Sequence, residues 1–137
     1  MSMVEMELNK IRIDEKRGEQ VIVLKERGGQ RFLPIVIGIM EATAIKMRVS
    51  NFQPPRPLTH DLLQGVIQAL GAELERIIIE KLERNVFYAK LVLKNGQGKL
   101  VEVDARPSDS IALALRAGSS IFVEEQVFEQ IGTSLEE

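Results

Sequence analysis

The apolar residues of this 137-residue chain change period twice, and that change limits the folds open to it. Val4, Met6 and Leu8 alternate with Glu5 and Glu7, and Ile11 and Ile13 continue in the opposite parity. A two-residue period marks a half-buried strand, and a bulge near Asn9-Lys10 reconciles the two registers. Gly18 predicts a turn into a second strand over residues 20–26, whose Val21-Ile22-Val23-Leu24 centre is rich in β-formers. Gly28-Gly29 turns the chain again into a strand over residues 31–37. Pro34 has no N–H for a ladder, so that strand belongs at an edge. The opening therefore reads as an antiparallel meander.

The middle of the chain is helical. Met40, Ala44 and Met47, with Ile45 and Val49 one turn apart, recur at helical spacing over Ile39–Val49, after Gly38 as a hinge. Pro54, Pro55 and Pro57 fix φ and keep residues 50–57 out of a helix. Thr59 then caps a helix with an apolar face of Leu62, Leu63, Val66, Ile67 and Leu70, ended by Gly71 at the left-handed C′ position.

Strands return after that. Ile77-Ile78-Ile79 is too apolar for an exposed strand and reads as central in the sheet. Residues 86–94 put Phe87, Ala89, Leu91 and Leu93 on one face, and Asn95-Gly96-Gln97-Gly98 signals a hairpin into residues 99–104. Ser108 caps a helix that Gly118 stops. Ile121-Phe122-Val123 is a short strand, residues 124–131 form a short acidic helix, and residues 133–137 fray. The whole, residues 1–137, reads as one α+β domain. Its sheet is mixed and mainly antiparallel, with two main helices and a short C-terminal one.

Composition narrows the function. With 45% hydrophobic and 28% charged residues the chain suits a globular protein. A net charge of −2, with basic residues spread along the chain, argues against a high-affinity, non-specific nucleic-acid coat. No cysteine is present for a disulfide, a thiolate nucleophile or a Cys-based zinc site, and a reducing cytoplasm is the simplest setting. No apolar run approaches the ~20 residues of a membrane span, and the acidic start is unlike a signal peptide.

Two segments carry surplus polar chemistry: Arg56-Pro57-Leu58-Thr59-His60-Asp61 and Asp104-Ala105-Arg106-Pro107-Ser108-Asp109. Each sets an Arg-Pro pair ahead of a hydroxyl and an acid at the start of an apolar helical run. Capping accounts for Thr59 and Ser108, and the helix dipole for Asp61 and Asp109. Neither accounts for the arginines, nor for the chain's one histidine standing in the first segment.

Both segments resemble motifs of the bifunctional nuclease domain family. So do Leu33-Pro34-Ile35-Val36-Ile37-Gly38, Glu41-Ala42 and Phe87-Tyr88-Ala89-Lys90-Leu91, in order and over about residues 3–128. The chain departs from the family pattern at Val36, Ser110 and Ser120, positions that concern packing. The resemblance implies an α+β domain that pairs into a homodimer and hydrolyses DNA and RNA.

Phosphodiester cleavage needs an activated nucleophile, neutralisation at phosphorus and help for the leaving oxygen. Arg56 and Arg106 suit a phosphate clamp, because a guanidinium grips two oxygens at once, and Thr59 and Ser108 are the further phosphate-binding candidates. His60 with Asp61, Asp104 and Asp109 is the candidate catalytic set. Asp61, Asp104, Asp109 and Glu41 are the candidates for holding Mg²⁺ or Mn²⁺. Asp104 is equally suited to a structural salt bridge with Arg106 or Arg56. A non-catalytic module, holding an anionic metabolite or a partner protein through the same cluster, is the alternative. A basic groove at the cluster favours cleavage, and a closed, fully paired cluster favours the module.

Overall fold

The computed structural model describes residues 2–14, 16 and 18–136. Two antiparallel meanders build the sheet. The first comprises β1 (Met3–Asp14), β2 (Glu19–Glu26) and β3 (Phe32–Ile37); the second comprises β4 (Glu73–Glu83), β5 (Val86–Lys94) and β6 (Leu100–Ala105). The last strand, β7 (Ser120–Glu124), joins them by lying antiparallel to β1 and parallel to β4. The result is one seven-stranded mixed sheet in the order β3-β2-β1-β7-β4-β5-β6.

Local sequence accounts for the register. The β1 pairing shifts between Leu8 and Lys10, so Met6 and Ile22 reach the same core despite the change of parity. Pro34 lies on β3, an edge strand, as its missing N–H requires. Asn95 Oδ1 accepts from the Gln97 and Lys99 amides at 2.9 and 3.0 Å, and Gly98 takes the positive φ that closes the β5–β6 turn.

Four helices are present: α1 (Ile39–Val49), α2 (Thr59–Ala69), α3 (Pro107–Ala117) and α4 (Glu125–Glu136). That is one more substantial helix than the two main ones expected. α4 runs to Glu136 where fraying was expected, with Glu137 outside the described residues. α3 is the central helix, flanked by α1 and α2. Its Ile111, Ala112, Leu113 and Ala114 are wholly buried against Ile77 and Ile79 of β4, Ala89 of β5 and Val123 of β7. Burial of each isoleucine, leucine or valine in this set contributes roughly 1.5–3 kcal/mol. α4 covers the part of β4 that extends past β7. Gln126 Nε2 donates to the Glu80 carbonyl at 2.7 Å, and Gln130 Oε1 accepts from the Leu82 amide at 2.8 Å.

α2 departs most from its sequence pattern. Of its apolar face only Ile67 is buried, while Leu62, Leu63, Val66 and Leu70 stand in solvent. The helix packs against α3 along a narrow line that takes up His60 and Ile67.

Candidate functional site

Both Arg-Pro segments end on a helix start, and the fold brings those starts together. Leu58 is the N-cap of α2 and Arg106 that of α3, and neither cap side chain closes the helix end. The expected caps are therefore displaced. Thr59 is the first helical residue and exposed; Ser108 is the second and buried. Proline's fixed φ suits the first helical position, so Pro107 starts α3 one residue ahead of Ser108. The polar work falls to neighbours: Asp61 Oδ2 accepts from the Leu58 amide at 2.9 Å, and Ser110 Oγ donates to the Arg106 carbonyl at 2.8 Å.

His60 Nε2 meets Asp109 Oδ1 at 2.9 Å, linking the first segment to the second. A carboxylate only accepts, so this contact assigns the proton to Nε2 and leaves Nδ1 of the neutral ring as an acceptor. The other oxygen of Asp109 accepts from Arg106 Nε at 3.0 Å and lies 2.9 Å from Nη2. Nη2 also sits 2.8 Å from Glu41 Oε1. The four residues form one chain of contacts: Glu41, Arg106, Asp109, His60. Burial pushes the Asp109 carboxyl up, but the hydrogen bonds from His60 and Arg106 outweigh it and hold the group below the ordinary carboxylate range. The bond to Asp109 raises Arg106 in turn.

Exposure differs sharply along that chain. The Glu41 and His60 side chains are 9% and 11% exposed, whereas that of Arg106 is 68% exposed. Arg106 Nη1 has no hydrogen-bond partner among the described residues. A free pair of N–H groups on a fixed guanidinium is what an anion would meet first.

A second polar group lies at the other end of α1. Asp61 Oδ1 accepts from Nε of Arg116, a residue that sequence reasoning passed over. That bond, with the Leu58 amide in support, holds the Asp61 carboxyl below its usual range against the effect of burial. Arg116 Nη1 reaches the Ala44 carbonyl at 3.5 Å, and Arg48 Nε reaches that of Leu115 at 3.2 Å. Arg116 follows Asp109 by two helical turns, a spacing that puts both on one face of α3 and could have marked it. Arg48, Arg56 and Arg116 line a hollow of about 390 Å³ with Phe52 and Asp61. Arg56 has no partner among the described residues, so the hollow keeps a positive excess.

Asp104 does not join either group. It faces Lys90 across β5–β6, and Lys90 points away from the core that Ala89 and Leu91 enter. Asp104 therefore lies on the side of β6 away from that core, exposed, and pairs with neither Arg106 nor Arg56. Glu41 and Asp109 are held by Arg106, and Asp61 by Arg116. Among the described residues no group of three or more His, Cys, Asp or Glu side chains is gathered for a metal ion, so the four candidate carboxylates do not fit a shared site.

A second hollow, also about 390 Å³, opens beside Arg106. Its walls are Pro34–Ile37 of the β3 edge, Gly38, Asn85 of the β4–β5 turn and Val86 and Phe87 of β5, with Glu41, Arg106, Pro107 and Ser108 at one end. β3 and β5 stand far apart in the strand order, so the sheet must coil to bring them to one cavity.

The fold and these paired helix starts define an α+β domain whose polar groups collect on the helix-bearing side of a coiled sheet. Residues 22–136 match the bifunctional nuclease domain, and the chain belongs to that family. It is 44% identical to an uncharacterized protein of Mycobacterium tuberculosis over 130 residues, which are 95% of this chain and 77% of that protein. It is 30% identical to Bifunctional nuclease 1 of Arabidopsis thaliana over 98 residues, 69% of this chain and 30% of the plant protein. Bifunctional nuclease 2 of rice is 28% identical over 107 residues, 76% of this chain and 33% of its own length. No described helix is long and apolar enough to cross a membrane.

Proposed function

We propose that this domain hydrolyses phosphodiester bonds of DNA and RNA at the junction of the two Arg-Pro segments. The observation that carries the reading is the His60–Asp109–Arg106 chain of contacts, which ends on an exposed guanidinium with free donors. Arg106 Nη1 binds a non-bridging phosphate oxygen, and the basic hollow of Arg48, Arg56 and Arg116 takes a neighbouring phosphate. Glu41 and Arg48 sit at opposite ends of α1, roughly 10 Å apart by a rise of about 1.5 Å per residue. That separation suits successive groups along one flexible strand. Asp109 orients His60, whose Nδ1 takes the proton of an attacking water as its oxygen bonds to phosphorus. The bond to the leaving alkoxide breaks, solvent protonates the alkoxide, and the imidazolium returns its proton to solvent. The two helix starts add positive dipole ends beside the anion.

The anion-binding module has one observation in its favour: Asp61, Asp109 and Glu41 are already paired with cations. The same experiment decides between the two. Purified protein is assayed on labelled single-stranded RNA and DNA with Mg²⁺, Mn²⁺ or EDTA, beside His60→Ala and Arg106→Ala variants matched for circular dichroism and melting. Cleavage that follows the wild-type peak and vanishes in both folded variants is expected. Cleavage indifferent to both variants, or none in any condition, contradicts the reading.

The expected pairing of two copies belongs to this proposal too. The outward face of α2, with Leu62, Leu63, Val66 and Leu70 exposed, supports it. Sedimentation should find a dimer that Leu62→Glu with Val66→Glu dissociates; a monomeric wild type would contradict it.

A further inference from the structure

The hollow beside Arg106 has a build that phosphate contacts leave unexplained. On the β6 side, β5 is paired only from Ala89 to Lys94, so Val86, Phe87 and Tyr88 have no strand beyond them. The edge of β3 lies across the cavity from Val86 and Phe87. Together they make a slot with Val36 and Val86 at its open mouth and Phe87, half-buried, on its wall. Pro34 interrupts any ladder along the β3 edge, so the slot is poorly made for an added peptide strand. Walls of Val36, Val86 and Phe87 suit an aromatic ring.

The end formed by Glu41 and Arg106 is polar in a particular way. Glu41 is buried, with Oε1 held by Arg106 and Oε2 without a hydrogen-bond partner among the described residues. Oε2 rests against Gly38, where an added Cβ would lie only 2.8 Å from it. Glycine there keeps the room that this carboxylate occupies. An acceptor left open at the end of an apolar slot suits a donor carried by the ring that enters.

We propose that the slot takes one unpaired nucleobase, guanine before the others, with Glu41 reading its Watson–Crick edge; this rests on the nucleic-acid reading above. Guanine places N1–H and N2–H side by side, and both point at a carboxylate. Uracil and thymine carry one N–H flanked by two carbonyl oxygens, which a carboxylate repels. A duplex cannot offer a base this way without unstacking it, so the slot selects single-stranded or frayed substrate.

The test measures binding without turnover. The protein's amide resonances are followed by NMR during titration with 5′-guanosine monophosphate and, separately, 5′-uridine monophosphate, in EDTA. Wild type, Glu41→Gln and Val86→Asp are compared; Val86 is half-exposed, so the last change leaves the core intact. A correct base–carboxylate pair discriminates by about 1–3 kcal/mol, so guanine should bind roughly tenfold tighter than uracil. Glu41→Gln should erase that preference, and Val86→Asp should weaken both nucleotides with the shifts at residues 35–38 and 86–87 lost. Equal binding of the two nucleotides, or a preference that survives Glu41→Gln, overturns the proposal. So does binding that Val86→Asp leaves unchanged. Nuclease failure is read separately: guanine preference without cleavage removes the hydrolytic reading and keeps the slot, while cleavage without base preference does the reverse.

Discussion

Arg31 and Arg106 each stand between two carboxylates. Arg31 reaches Glu26 through Nε and Nη2 and Glu125 through Nη1 and Nη2, at 2.8–3.2 Å, with its guanidinium 4.2 Å above the Phe128 ring. Every nitrogen of that fork is used, and the contacts tie the β2–β3 turn to α4. Glu125 first, then Glu26, holds the guanidinium firmly in its charged form. Arg106 makes fewer bonds from a more exposed position, 68% against 40%, and keeps Nη1 free. One of its carboxylates continues to a histidine, and the other lies at one end of the hollow beside β3. A closed arginine is a clasp between elements; an open one keeps donors free.

Exchanging the two roles should give the largest effects. Arg106→Ala is expected to lower cleavage by roughly 10²–10³, the loss that follows removal of one donor to a developing oxyanion. Arg31→Ala should leave cleavage near wild type and lower the melting temperature by roughly 2–4 °C. Parallel assays and melts of both variants check this; comparable activity losses in the two would erase the distinction.

Asp61 sharpens it from the side of stability. Its partner Arg116 has a side chain only 8% exposed, so Asp61→Ala strands a buried guanidinium and should cost about 3 kcal/mol. The pH dependence has a definite sign. The folded-state pKa values of Asp61 and Asp109 lie below the ordinary 3.8, so their stabilisation is complete above that value and is lost as pH falls through the lowered ones. Wild-type melting should therefore fall steeply below about pH 4, and Asp61→Asn should flatten part of that slope. A variant with the same acid limb as wild type would place the loss elsewhere.

Arg56 should give the smallest effect. It has no partner to release, so Arg56→Ala should leave melting unchanged. Binding of single-stranded DNA should weaken modestly, with the log–log salt slope reduced by about 0.7. An unchanged slope would remove Arg56 from the phosphate contacts.

Much of the fold was legible because strand signals are local. The parity change at Asn9-Lys10, the edge position of Pro34, the buried Ile77-Ile78-Ile79 and the Asn95 turn each depend on neighbours in sequence. β7 was legible as a strand, but its place between the two meanders depends on how α3 crosses the sheet. The two Arg-Pro segments were legible as helix starts, but the His60–Asp109 contact between them depends on how α2 packs on α3. Asp104 misled because it stands two residues from Arg106 in sequence, yet it is still paired with Lys90 in the sheet, whereas Arg106 has left β6 to become the N-cap of α3. Arg116 and Arg48 were missed because their partners, Asp61 and the Ala44 and Leu115 carbonyls, meet only through the packing of α1, α2 and α3. The outward apolar face of α2 shows the same limit: period identifies a face, and only packing decides what it meets.

The most direct measurement follows the arginine Nε–Hε resonances in ¹⁵N NMR as a short single-stranded DNA is added in EDTA, with Arg31→Ala and Arg106→Ala spectra giving the assignments. The open Arg106 should shift progressively with DNA while the closed Arg31 stays fixed. Equal movement of both, or a shift of Arg31 alone, would contradict the distinction between clasp and ligand site.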